Sequence, residues 1–184
     1  PEYETTQDPK TGDYKTKVIN GVGGEAIPLL VQKVWLDDGD ELHREPVTFT
    51  IYNRHTNQRI AEVTLGGDNA PGVWFQVVKV QADTELQELN PNGVYDIDDL
   101  FVAETQVGTA DVKHYLEAGV NYNSLYGNGT EDYPGGEGDN KKIFDVTTAN
   151  HRYQVTYRFT KPEGGSSVGV QGTFTVTNRR LGNI

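Results

Sequence analysis

The sequence predicts an all-β fold, a β-sandwich that carries one long loop insertion. Three observations predict it. Apolar residues recur with period two along most of the chain, as on strands with one face buried. The turn signals "DDGD", "GGDNAPG", "NPNG" and "KPEGG" punctuate those runs. Many short strands joined by Gly/Pro turns are the pattern of two packed sheets.

Taken in order, residues 1–28 are polar and weakly patterned apart from "YKTKVIN". They read as a linker or as the last strand of a preceding module. "LLVQKVWL" (29–36) opens the sandwich, with Leu29, Val31, Lys33 and Trp35 on one face and Leu30, Gln32, Val34 and Leu36 on the other. The acidic turn with Asp37, Asp38, Asp40 and Glu41 follows. Val47, Phe49 and Ile51 alternate with threonine and tyrosine, and Ala61, Val63 and Leu65 alternate with Glu62 and Thr64. "GVWFQVVKV" (72–80) is a denser strand, readable as covered on both faces. "YDIDDLFVAETQV" (95–107) reads as a strand or strand pair. Helical turns are plausible only at 82–89 and 110–119. Residues 121–142, rich in Gly, Asn and Asp, read as a long irregular loop within an insertion spanning about 108–150. Tyr153, Val155, Tyr157 and Phe159 mark the next strand, and "SVGVQGTFTVTN" (167–178) the last.

Composition narrows the function. With 184 residues the chain suits one domain, or one domain with an appendage. A formal net charge of -11 argues against nucleic acid and against an anionic membrane surface, both of which need basic patches. No apolar run is long enough to span a bilayer, so no membrane insertion is expected in this fragment. A sequence that begins with Pro1 and contains no Met reads as an excerpt of something longer. Cys is 0, which removes disulfides, thiol catalysis and thiolate metal sites. His43, His55, His114 and His151 are scattered, with no pair at metal-ligand spacing, so no metal and no cofactor is expected.

Three polar residues break the pattern. Lys33 lies between Val31 and Trp35 on an apolar stripe. Glu104 shares its face with Leu100 and Val102. Asn178 ends the face that carries Phe174 and Val176. Singly, each has an ordinary reading: a snorkelling lysine, a solvated carboxylate, a strand-end cap. Together they form a reactive set. Burial lowers an amine's pKa and raises a carboxyl's. A neutral amine is a nucleophile, a side-chain amide carbon is an electrophile, and a carboxyl between them can bind the amide oxygen and steady the developing charge. Attack of Lys33 on Asn178 releases ammonia and leaves an isopeptide bond, with Glu104 as the catalytic group. The fold would contribute proximity, about 7–11 kcal/mol of barrier in well-oriented intramolecular reactions.

These residues sit in a wider pattern. "VQKVWLDDGDELHREPVTFTIYN" resembles the opening of a Cna protein B-type (CnaB) domain, although Glu45 separates Arg44 from Pro46. "VWFQV" resembles that family's central tryptophan strand. "FVAET" resembles its glutamate strand, with Phe101 where tyrosine is usual, and "FTVTN" resembles its closing strand. The resemblance spans about 29–180 and is weakest over 108–150. It implies an immunoglobulin-like sandwich over 29–184 in which Lys33, Glu104 and Asn178 form a spontaneous isopeptide bond. It also implies a structural or adhesive module of a Gram-positive pilin or cell-wall-attached surface protein, outside the cell. Neighbouring modules of the same protein would be its partners, and the chain would not be a turnover enzyme.

A second class of function is a ligand-binding sandwich, in which Tyr122, Tyr126 and Tyr133 of the 121–142 loop contact a glycan or a host protein. A third is calcium binding at Asp37, Asp38, Asp40 and Glu41, although "DDGDE" lacks the spacing of an EF-hand loop.

Overall fold

Period-two alternation along the chain is realised as two sheets packed face to face. The computed structural model describes residues 2–7, 14–19, 26–68, 71–81, 96–115, 119–127, 144–162 and 169–182. The strands are β1 (Glu2–Gln7), β2 (Tyr14–Ile19), β3 (Ile27–Leu36), β4 (Val47–Asn53), β5 (Arg59–Leu65), β6 (Phe75–Val80), β7 (Leu100–Val107), β8 (Ala110–Asp111), β9 (Lys113–His114), β10 (Phe144–Thr147), β11 (Arg152–Thr160) and β12 (Gly172–Arg180). One sheet has the order β6-β3-β12-β11-β10-β9 and the other β5-β4-β7-β8. Strands β1 and β2 pair with each other as an antiparallel hairpin, so the N-terminal segment holds regular structure of its own.

All described pairings are antiparallel except that of β3 with β12. There the two strands run parallel, with Val176 opposite Lys33 and Asn178 opposite Trp35. Segments 29–36 and 172–178 are thus neighbours, as the matching alternation at the two ends of the sandwich predicts. Along β3 the buried positions are Ile27, Leu29, Val31, Lys33 and Trp35, while Gln32 and Leu36 face solvent. Along β12 they include Phe174, Val176 and Asn178. β11 of the same sheet adds Tyr153, Val155 and Tyr157, and the facing sheet contributes Phe49 and Ile51 from β4 and Leu100 and Val102 from β7.

Several expectations need correction. The stretch 72–80 is not covered on both faces: β6 is a sheet edge, and Phe75 and Val77 are exposed. No helical turn forms in the described part of 110–119. Gly108 takes a positive φ of 59°, the chain reverses, and β8 pairs back onto β7 while β9 joins β10. Ladder hydrogen bonds there override a weak helical propensity. The other helical candidate, 82–89, lies outside the described residues.

Residues 121–142 are not irregular throughout. Tyr122–Tyr126 forms a short helix, α1. Ser124 N–H donates to Asn121 Oδ1 (3.0 Å) and Asn121 N–H donates to Ser124 Oγ (2.9 Å), a reciprocal cap. Leu125 and Tyr126 are buried, because one turn of helix turns them toward the gap between the sheets. The remainder of that segment, Tyr133 included, lies outside the described residues.

Candidate functional site

Lys33, Glu104 and Asn178 meet in the sandwich interior. β3 carries Lys33 inward between Val31 and Trp35, and β12 carries Asn178 inward beyond Val176. β7 presents Glu104 from the opposite sheet. Lys33 Nζ donates to Glu104 Oε2 (2.9 Å), and Asn178 Nδ2 donates to Glu104 Oε1 (2.8 Å). One carboxylate therefore bridges the amine and the amide, from 71 residues on one side and 74 on the other. The Lys33 and Glu104 side chains are 0% exposed, as is the Asn178 residue as a whole.

The electrostatics follow from that burial. Desolvation pulls the Lys33 amine down from its ordinary 10.5 to about 8, against the charges of Glu104 and Asp37, which hold it up. The amine also lies 4.7 Å from the centre of the Trp35 ring, a cation–π contact that steadies its charged form. Trp35 is itself wedged edge-on against Trp74 and Tyr153.

The amide differs from expectation in one respect. Its nitrogen, not its oxygen, faces the carboxylate, and Asn178 Oδ1 has no hydrogen-bond partner among the described residues. A buried carbonyl oxygen without a donor is costly. Among the described residues the amide's partner is Glu104, whose carboxylate accepts, so the nitrogen turns toward it.

A second layer went unnoticed in the sequence. The Glu104 backbone N–H donates to Tyr157 Oη (3.0 Å), which lies 3.2 Å from His114 Nε2. Burial pulls His114 down from 6.5 to about 4 and keeps it neutral, so its bare Nε2 can accept the Tyr157 O–H. Alternation places Tyr157 on the inner face of β11. The pairing of His114 with Phe144 on β10 is what brings the imidazole beside it, and no local pattern announces that.

The tyrosines of the candidate ligand loop part company. Tyr126 is buried against Phe174 and Tyr157, and its hydroxyl donates to the Val102 carbonyl, so it offers no ring to a ligand. That corrects its assignment as a contact residue. Tyr122 is partly buried, stacked on Tyr126 with the Arg54 guanidinium 3.7 Å from its ring centre.

The acidic turn is also built differently from a calcium loop. Asp37 is buried and held by both Arg44 Nε and Nη2 (2.8 Å each), which keeps its carboxyl below the usual range. Asp40 contacts His43 and His151. Comparison with protein-family models, with curated proteins and with solved structures returned no match.

Proposed function

We propose that the chain is a self-crosslinking structural or adhesive module of a Gram-positive cell-surface protein or pilin, joined internally by a Lys33–Asn178 isopeptide bond. The observation that carries the reading is the bridging of Lys33 and Asn178 by the single buried carboxylate of Glu104. A proton passes from Lys33 Nζ to Glu104 across the 2.9 Å contact and frees the amine's electron pair. Nζ attacks Asn178 Cγ. Glu104 returns that proton to Nδ2, which already rests 2.8 Å from Oε1, then takes the second proton from the newly bonded Nζ and passes it to the leaving nitrogen, which departs as ammonium. One C–N bond forms, one breaks, and the carboxylate is regenerated. The lowered pKa of Lys33 favours the first step. Neither oxidant nor cofactor enters the balance, which suits a chain without cysteine.

By the chain-entropy argument used for disulfides, a link closing a loop of roughly 100 residues or more stabilises by about 5 kcal/mol. The surface setting, and partnership with neighbouring modules, rest on the resemblance of the first and last strands to CnaB domains. Intact mass tests the chemistry. The chain should weigh one ammonia less than its sequence, and Lys33→Ala or Asn178→Ala should each show the full mass of the variant. A native mass equal to the sequence value would remove the bond and, with it, the reason to assign a self-crosslinked module.

A further inference from the structure

At one end of the sandwich two loops bring together a donor set that no sequence spacing announces. Asp40 and His43 lie in the β3–β4 loop. Asp38 and Gly39 take positive φ of 58° and 77°, turning the chain into the 3-10 turn Glu41–His43. Residues three apart in such a turn stand one above the other. His43 Nδ1 accordingly lies 2.7 Å from Asp40 Oδ1 and 2.9 Å from Oδ2. His151 arrives from the β10–β11 turn, 111 residues from Asp40, with its Nε2 3.0 Å from Asp40 Oδ2. Thr148 fixes that turn: its N–H and hydroxyl both donate to the His151 carbonyl (2.8 and 3.0 Å). One carboxylate oxygen and two imidazole nitrogens lie within 4.8 Å of one another.

We propose that Asp40, His43 and His151 bind a first-row transition-metal dication of the zinc type, with water completing the coordination. Two neutral imidazoles and a carboxylate suit zinc, nickel, copper or cobalt, whereas calcium and magnesium take oxygen donors. Zinc needs these donors at about 2.0–2.2 Å. The donor atoms lie within 4.8 Å of one another, and the direct imidazole–carboxylate contacts open to admit the ion. His151 is held, with its side chain only 12% exposed, while the His43 side chain is 51% exposed and leaves a side open to solvent. Arg180 Nη1, 3.7 Å from Asp40 Oδ2, is the opposing charge, and its partly exposed side chain must swing aside.

The test uses the untagged full chain, stripped with a chelator and titrated with zinc chloride alone, following both heat of binding and melting temperature. One zinc per chain should bind and raise the melting temperature. His43→Ala and His151→Ala should each weaken binding by roughly tenfold or more, while Arg180→Gln strengthens it. His55→Ala serves as the control, because among the described residues the His55 imidazole pairs with Asp99 (2.6 Å) and joins no donor cluster, so zinc binding should be unchanged. His43→Ala, in an exposed turn, keeps the test decisive even where His151→Ala disturbs the fold. Absence of zinc binding, or binding that survives His43→Ala undiminished, overturns the site and leaves a hydrogen-bonded Asp–His cluster. Neither result bears on the Lys33–Asn178 bond, which mass alone reports.

Discussion

Lys33 and Asn178 occupy the two oxygens of the same carboxylate, at 2.9 and 2.8 Å, though they sit on different strands of one sheet and the carboxylate comes from the other. Glu104 is therefore the hinge of both chemistry and stability. Glu104→Ala should leave the full variant mass and an unreacted lysine. It should also be less stable than Asn178→Ala, which lacks the bond as well, by about 3–5 kcal/mol, because it strands the buried Lys33 without its counter-charge. Urea denaturation of the two variants makes the comparison, and equal midpoints would contradict it.

The lowered pKa of Lys33 gives the uncrosslinked protein a signature in base. Its folded value is about 8 against 10.5 unfolded, so between these the unfolded chain binds more protons. Stability then rises with pH through that window and is flat below it with respect to this group. Denaturation of Asn178→Ala from pH 7 to pH 10 should show the rise, and adding Lys33→Ala should flatten it.

His114 produces the corresponding effect in acid. Its folded value of about 4 lies below the ordinary 6.5, so the unfolded chain again binds the extra proton between them. Stability should fall as pH drops from 6.5 toward 4 and should lose no more to this group below that. His114→Gln should be markedly less sensitive over that range by thermal melting. An unchanged acid profile would mean the imidazole titrates freely.

Tyr157→Phe removes the acceptor of the Glu104 N–H and the donor to His114 while keeping the ring packed. Leaving a buried backbone N–H unpaired should cost about 1–3 kcal/mol. Bond formation after refolding, followed by mass, should slow because β7 no longer fixes Glu104 as firmly. A cost in stability with an unchanged rate would make Tyr157 purely structural.

Gly172 begins β12 with no room for a side chain. A Cβ there would meet Phe159 Cε2 at 2.7 Å and Ile97 Cγ1 at 2.9 Å. Gly172→Ala should therefore destabilise by about 1–3 kcal/mol through overpacking, measured by urea titration. Full native stability would show that the Phe159–Phe174 stack gives way easily.

Much of this was legible in the sequence, and the reasons are physical. Alternation over 172–178 reports which residues a sheet buries, and although 29–36 is apolar on both faces, Lys33, Glu104 and Asn178 stand out as polar groups on otherwise apolar faces. The sandwich was readable for the same reason. Residues 110–115 were not, since β8 and β9 exist only through partners elsewhere in the chain. Tyr126 misled because Gly/Asn-rich surroundings conceal a capped turn of helix. Tyr157 looked like ordinary core, and nothing local links His114 to it. His43 and His151 looked scattered because the loops that join them are adjacent only in the folded chain.

The parallel pairing of β3 and β12 has a mechanical consequence. Ile27 opens β3 at one end of the ladder and Arg180 closes β12 at the other, so a pull on the chain before β3 and after β12 slides the strands past each other. The eight residue pairs of that ladder are then loaded together in shear and cannot be unzipped one at a time. Resistance of that kind comes from geometry alone. It is present from the moment the strands pair, before any covalent tie between them.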